Sequence, residues 1–157
     1  MNSAIQNLQG FPFEKEYGVA FLTTPVRFLD TRTGQPAGSA CIMPGAQLTA
    51  NTDTLYQVRS QCTRIPAGAK GIFGLLYVLN HSVSLYATMY PNTPLLRVDY
   101  SAQPYVKNRP FVATTFYNST VAVVANTFVT GIGADGKFWL YTAGTADFIV
   151  DITGYFL

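Results

Sequence analysis

The sequence predicts an all-β protein, an antiparallel two-sheet β-sandwich of jelly-roll type preceded by an extended N-terminal arm. Alternation of apolar and polar residues with period two recurs throughout, and no window of about eleven residues carries the 3.6-residue period of an amphipathic helix. Short candidate strands are separated by turn chemistry at IPAGAKG (65–71), MYPNTP (89–94) and GADG (133–136). That spacing leaves no room for the crossover helices of a parallel sheet.

Taken in order, residues 1–23 read as the arm. Asn2, Ser3, Gln6, Asn7, Gln9, Gly10, Pro12 and the Glu14-Lys15-Glu16 triplet suit an extended segment better than a core strand, while Ile5, Leu8, Phe11, Phe13 and Tyr17 supply apolar anchors. Such anchors dock either on their own domain or on a neighbouring subunit, because an exposed apolar arm is an association site. Residues 24–157 form the sandwich. In AQLTANTDTLYQVRS (46–60), Leu48, Ala50, Thr54, Tyr56 and Val58 fall in phase. GIFGLLYVLN (71–80) reads as a further strand. In HSVSLYATMY (81–90), Val83, Leu85, Ala87 and Met89 share one face, and Ser84, Tyr86, Thr88 and Tyr90 share the other. Asp135-Gly136, between TFVTGI and KFWLYT, is the best hairpin signal, since glycine tolerates the positive φ such turns require; it predicts that those two strands pair antiparallel. In the closing FIVDITGYFL (148–157), Phe148, Val150, Ile152 and Gly154 point one way and Ile149, Asp151, Thr153 and Tyr155 the other. Such a strand can lie centrally in its sheet, and its late position in the sequence does not force it to the edge.

Composition narrows the function. The 157 residues fit one domain. Charged residues make up 11%, less than half of the roughly 25% usual for soluble domains, while aromatics reach 14%. With few like charges to hold copies apart, such a surface favours association. The net charge of +2 is spread without a basic cluster, which argues against nucleic-acid binding. Residues 71–96 carry no charge, but Asn80, His81, Ser82, Ser84 and Pro91 interrupt them well short of the roughly 20 apolar residues of a membrane span.

From Thr24 onward the matching stretches are TPVRFLDTRTG (24–34), IPAGAKGI (65–72), NHSVSLYATMYP (80–91), VANT (124–127), GADGKFWLY (133–141) and FIVDITGYF (148–156). In this order they resemble a β-rich module found singly or repeatedly in bacterial surface and secreted proteins, which opens with a TPxRLLDTR-like stretch and closes with a VVDVxGYF-like one. The resemblance implies adhesion-like or accessory roles and no catalytic motif. Two regions depart from the pattern: the arm, and the longer, irregular segment 95–120.

The residues offer little chemistry. Asp30 and Arg32, two apart on a strand, share a face, and a buried carboxylate needs a partner; with Asp151 they are expected to form a structural charge network joining the first module strand to the last. The one histidine, His81, lacks an assembled nucleophile and orienter. Asp147 and Asp151 stand roughly 13 Å apart on an extended strand, too far for paired-carboxylate hydrolysis. GIGADG (131–136) precedes a strand rather than a helix, so it is no phosphate loop. Cys41 and Cys62 lack the neighbouring ligands of a metal site and are read as buried free thiols ahead of a disulfide between adjacent strands. No cofactor is expected. Tyr86, Tyr90 and Tyr77 form a possible glycan-stacking face, with sheet or subunit packing the duller alternative. The sequons at Asn80 and Asn118 carry meaning only in an exported protein.

The start, MNSAIQNLQGFPFEKEYG, shows no basic leader followed by an apolar core. Together with an extracellular-type module, this leads to the expectation of a non-enzymatic structural protein made in a host cytoplasm and carried in a bacteriophage virion. Capsid decoration, head fibre and tail accessory are the expected roles. The chain itself, as a homo-oligomer and a trimer by guess, and a capsid or other virion protein are the expected partners. The alternative is a bacterial cell-surface adhesion or glycan-binding module.

Overall fold

The computed structural model describes residues 18–93, Arg109 and 113–157. The arm anchors Ile5, Leu8, Phe11, Phe13 and Tyr17, and most of the 95–120 segment, lie outside the described residues. The described residues form eight strands: β1 (Val19–Asp30), β2 (Thr52–Gln57), β3 (Gly71–Leu79), β4 (Leu85–Pro91), β5 (Thr115–Tyr117), β6 (Val123–Gly131), β7 (Lys137–Thr142) and β8 (Asp147–Phe156). They form two four-stranded antiparallel sheets, ordered β1-β8-β3-β6 and β2-β7-β4-β5. The all-β, two-sheet prediction therefore holds, and β1 runs across the expected boundary between arm and domain.

The inner faces meet in one core. Phe28, Phe138, Phe148, Leu140, Val150 and Ile152 are fully buried, and Phe138 packs its ring 5.7 Å from Phe28 and 5.9 Å from Tyr56. Period-two alternation places these side chains inward, as read for Tyr56 and Val58 and for Phe148, Val150 and Ile152. β8 lies inside its sheet between β1 and β3, the central place its alternating apolar pattern allowed.

Two expectations fail. β6 and β7 do not pair: the chain leaves β6 in the first sheet and enters β7 in the second. The turn itself forms, with Gly136 at φ 78° and its N–H donating to the Gly133 carbonyl, but the buried Ile132 lies where the chain crosses between layers. A positive-φ glycine specifies a local reversal and not which sheet receives the next strand. The second failure is Gly154, expected beside Ile152. The β3–β8 register passes from Gly74 opposite Ile152 to Phe73 opposite Gly154, and residues 22–25 of β1 bulge opposite Thr153. A bulge shifts the alternation by one, so Tyr155 packs against the core and Gly154 joins the outer face.

The outer flank of β1 is closed by residues 41–42, whose N–H groups donate to the Arg27 and Phe28 carbonyls. Cys41 is disulfide-bonded to Cys62, which corrects the preference for free thiols. The bond ties this edge cover to the loop after β2, a proximity only the folded chain creates.

Candidate functional site

The first candidate is the set of ionic contacts joining the two terminal motifs. Arg32 makes a two-point contact with Asp30, Nε to Oδ1 at 2.9 Å and Nη2 to Oδ2 at 2.7 Å, and this hydrogen bonding holds the Asp30 carboxyl below the usual carboxylate range. Asp151 takes a different partner: Arg27 grips it with Nε–Oδ1 2.9 Å and Nη2–Oδ2 3.0 Å. The expected single network of Asp30, Arg32 and Asp151 is thus two ion pairs, and Arg27 is the residue sequence reasoning missed. The β1–β8 register sets Arg27 opposite Asp151, and it follows from strand pairing, not from either motif. The motifs are also joined by Thr31, whose hydroxyl donates to the buried Asp147 at 2.7 Å and accepts from the Phe148 N–H at 2.9 Å. Asn80 completes Asp147 with a 2.7 Å bond from Nδ2. These contacts are structural, with each carboxylate neutralised or hydrogen-bonded as burial demands.

The second candidate is the outer face of β2-β7-β4-β5. Tyr86 and Tyr90 alternate onto it from β4, and Trp139 and Tyr141 join them from β7. Tyr77 does not; it stands on β3 in the other sheet, so the three expected tyrosines share no face. The polar handles of Tyr90, Tyr141 and Trp139 end on side-chain acceptors. The Tyr90 hydroxyl donates to Asp53 at 2.6 Å, the Tyr141 hydroxyl to Asn51 at 3.1 Å, and the Trp139 indole N–H to Asn92 at 3.0 Å. Arg109 lies over Tyr141 at 3.5 Å from the ring centroid, with a nitrogen 3.7 Å from Asp53, a cation–π and ionic contact together. Tyr90 and Tyr141 are only 4% exposed. Burial first, and then the Asp53 carboxylate, push the Tyr90 hydroxyl well above its ordinary pKa.

The third candidate is the outer face of β1-β8-β3-β6, and sequence reasoning did not find it. Phe21 is 75% exposed, Val129 69% and Val19 55%. Phe21 and Phe73 stand on either side of Gly154, and the Phe73 ring lies where a Gly154 Cβ would go, so the missing side chain lets the two rings close edge to face at 5.3 Å. Phe156 continues the row, 5.2 Å from Phe73. These side chains line a shallow groove of about 440 Å³ with Leu75 and Val129. None of the described residues that line it is ionisable. Phe21 was missed because it lies within the segment read as arm.

The five carboxylates among the described residues, Asp30, Asp53, Asp135, Asp147 and Asp151, all hold hydrogen-bonding or ionic partners. The buried ring nitrogens of His81 have no hydrogen-bond partner, so nothing orients the ring as a base toward a nucleophile; it packs on Tyr117 at 4.9 Å. No group of metal-binding side chains occurs among the described residues, and no helix of the described chain is long and apolar enough to cross a membrane. No protein-family model and no curated protein matches this chain.

Proposed function

We propose that this chain is a non-enzymatic structural protein, a bacteriophage virion component of the capsid-decoration, head-fibre or tail-accessory kind, which works through protein–protein contacts. The observation that carries the reading is the uncharged groove of Phe21, Phe73, Phe156 and Val129 on one sheet face. A row of exposed phenylalanines and valines costs solubility and is retained where another surface covers it. Three further features support the reading. The chain is poor in charge, its described carboxylates serve the fold, and its cysteines are bonded, which suits work outside a reducing cytosol. The terminal motifs and their likeness to a surface-protein module point to the same setting. The glycan-binding alternative finds less support, since Tyr90 and Tyr141 are buried and Tyr77 faces elsewhere.

The test is fractionation. An antibody raised against the purified chain is applied to lysates of the source culture separated on a density gradient, with mass spectrometry of each band. The chain is expected to sediment with assembled particles alongside capsid or tail proteins. Recovery only in the cell-envelope fraction would reject the virion reading in favour of a surface adhesion module.

A further inference from the structure

We propose that the groove formed by Phe21, Phe73, Phe156 and Val129 receives the N-terminal segment of a second copy of this chain, with Phe11 and Phe13 as the inserted side chains. The inference deepens the structural reading above by naming the surface and its occupant.

Three observations lead to this occupant. The first is chemical match. None of the described residues lining the groove is ionisable, and residues 1–13 contain no Asp, Glu, Lys or Arg, so docking of Phe11 and Phe13 strips water from no charged side chain. Phe11-Pro12-Phe13 provides aromatic complements to the phenylalanine row. Proline biases the residue before it toward extended backbone, and residues two apart on an extended chain project to the same side about 7 Å apart.

The second observation is reach. Phe13 and Phe11 stand five and seven residues ahead of Gly18, so they reach up to roughly 17 and 24 Å from it when extended, enough to touch a copy packed against that end of the sheet. A neighbouring copy is within range.

The third is direction, which favours a neighbour over the chain's own groove. The Leu157 N–H donates to the Gly18 carbonyl at 2.9 Å, carrying the β1–β8 ladder one step past Val19. Gly18 therefore continues the plane of the sheet. For Phe13 to reach the chain's own groove, the segment would have to turn back within the five residues before Gly18.

The experiment uses the full-length chain with a photo-reactive benzoylphenylalanine in place of Phe13, mixed as equal amounts of ¹⁵N-labelled and unlabelled protein, irradiated and mapped by mass spectrometry. Cross-links joining the residue-13 peptide of one isotopic copy to β1, β3 or β8 peptides of the other are expected. Sedimentation of the full chain provides the second readout. The double substitution Phe21→Ser/Val129→Ser and the single Phe13→Ser should each weaken self-association at least tenfold while leaving the far-ultraviolet β spectrum unchanged.

Cross-links confined to single isotopic copies, or mapping to the β2-β7-β4-β5 face, would overturn the proposal. So would groove substitutions that leave the sedimentation profile unaltered. Weakened association by the groove variant with no effect of Phe13→Ser would instead show two grooves pairing face to face, and would overturn the arm as occupant. Absence of the chain from particles, with the mixed-isotope cross-links intact, would fall on the virion reading alone.

Discussion

Both outer faces of the sandwich are aromatic, yet their rings are finished differently. On β2-β7-β4-β5 the hydroxyls of Tyr90 and Tyr141 and the indole N–H of Trp139 end on Asp53, Asn51 and Asn92 of the same molecule, and Phe116, 72% exposed beside Tyr86, is the bare ring of that face. Arg109 lies over Tyr141. On β1-β8-β3-β6 a row of Phe21, Phe73 and Phe156 packs around Gly154, with Phe21 edge to face on Phe73 and 75% exposed. The difference teaches how to read an aromatic face. Rings tethered by hydrogen bonds within the chain form part of the fold, whereas bare rings without polar handles form a surface that waits for another.

The comparison can be broken or sharpened by substitution. The largest effect is expected where both faces share support: Phe138→Ala, in the common core against Phe28 and Tyr56, should cost about 3–5 kcal/mol in urea unfolding and loosen both sheets together. Next comes Cys41→Ser, which frees the cover over the β1 edge. A closed loop of this size contributes roughly 3 kcal/mol, and the intact protein should take up no alkylating reagent until it is reduced.

Asp53→Ala separates the faces. It strips the acceptor from Tyr90 and the partner from Arg109, and should cost about 1–3 kcal/mol with no change in self-association. Phe21→Ser is the mirror experiment: stability should fall by only about 0.5–1.5 kcal/mol through the lost Phe73 contact, while association changes. If Asp53→Ala alters assembly and Phe21→Ser alters only stability, the assignment of the two faces is reversed.

The smallest effect is alkaline. Burial pushes the Tyr56 hydroxyl up to about 12, so its folded-state pKa lies above the unfolded value near 10. The stability it contributes is fully present below pH 10 and is lost as pH rises through about 12. Absorbance at the tyrosinate band should show a late-ionising fraction in the folded protein, Tyr90 included, that is missing in denaturant.

Much of this architecture was legible in the sequence. Alternation in 148–157 marked Phe148, Val150 and Ile152 as inward and allowed the strand a central place, and both hold. Alternation in 81–90 placed Ala87 and Met89 in the core with Tyr86 and Tyr90 on the opposite face. The candidate site was far less legible. Phe21 lay in a stretch read as arm, because the apolar run Val19–Leu22 was grouped with the polar residues ahead of it and its partner strand, β8, lies at the far end of the chain. Arg27 was passed over for Arg32, since proximity along the chain is visible and proximity across a ladder is not. Tyr77 was grouped with Tyr86 although they belong to different layers.

By itself, then, the sequence determined the class of element and the side on which each residue of a regular strand would lie, because period-two alternation is a property of a single extended backbone. Only the tertiary structure decided which strands became neighbours: that β6 and β7 part company after the Gly133–Gly136 turn, that Cys41 meets Cys62, and that a bulge at Thr153 turns Gly154 outward between two phenylalanines. Those outcomes depend on contacts between residues far apart in the chain, and the register that makes them is set by the packing of both sheets at once.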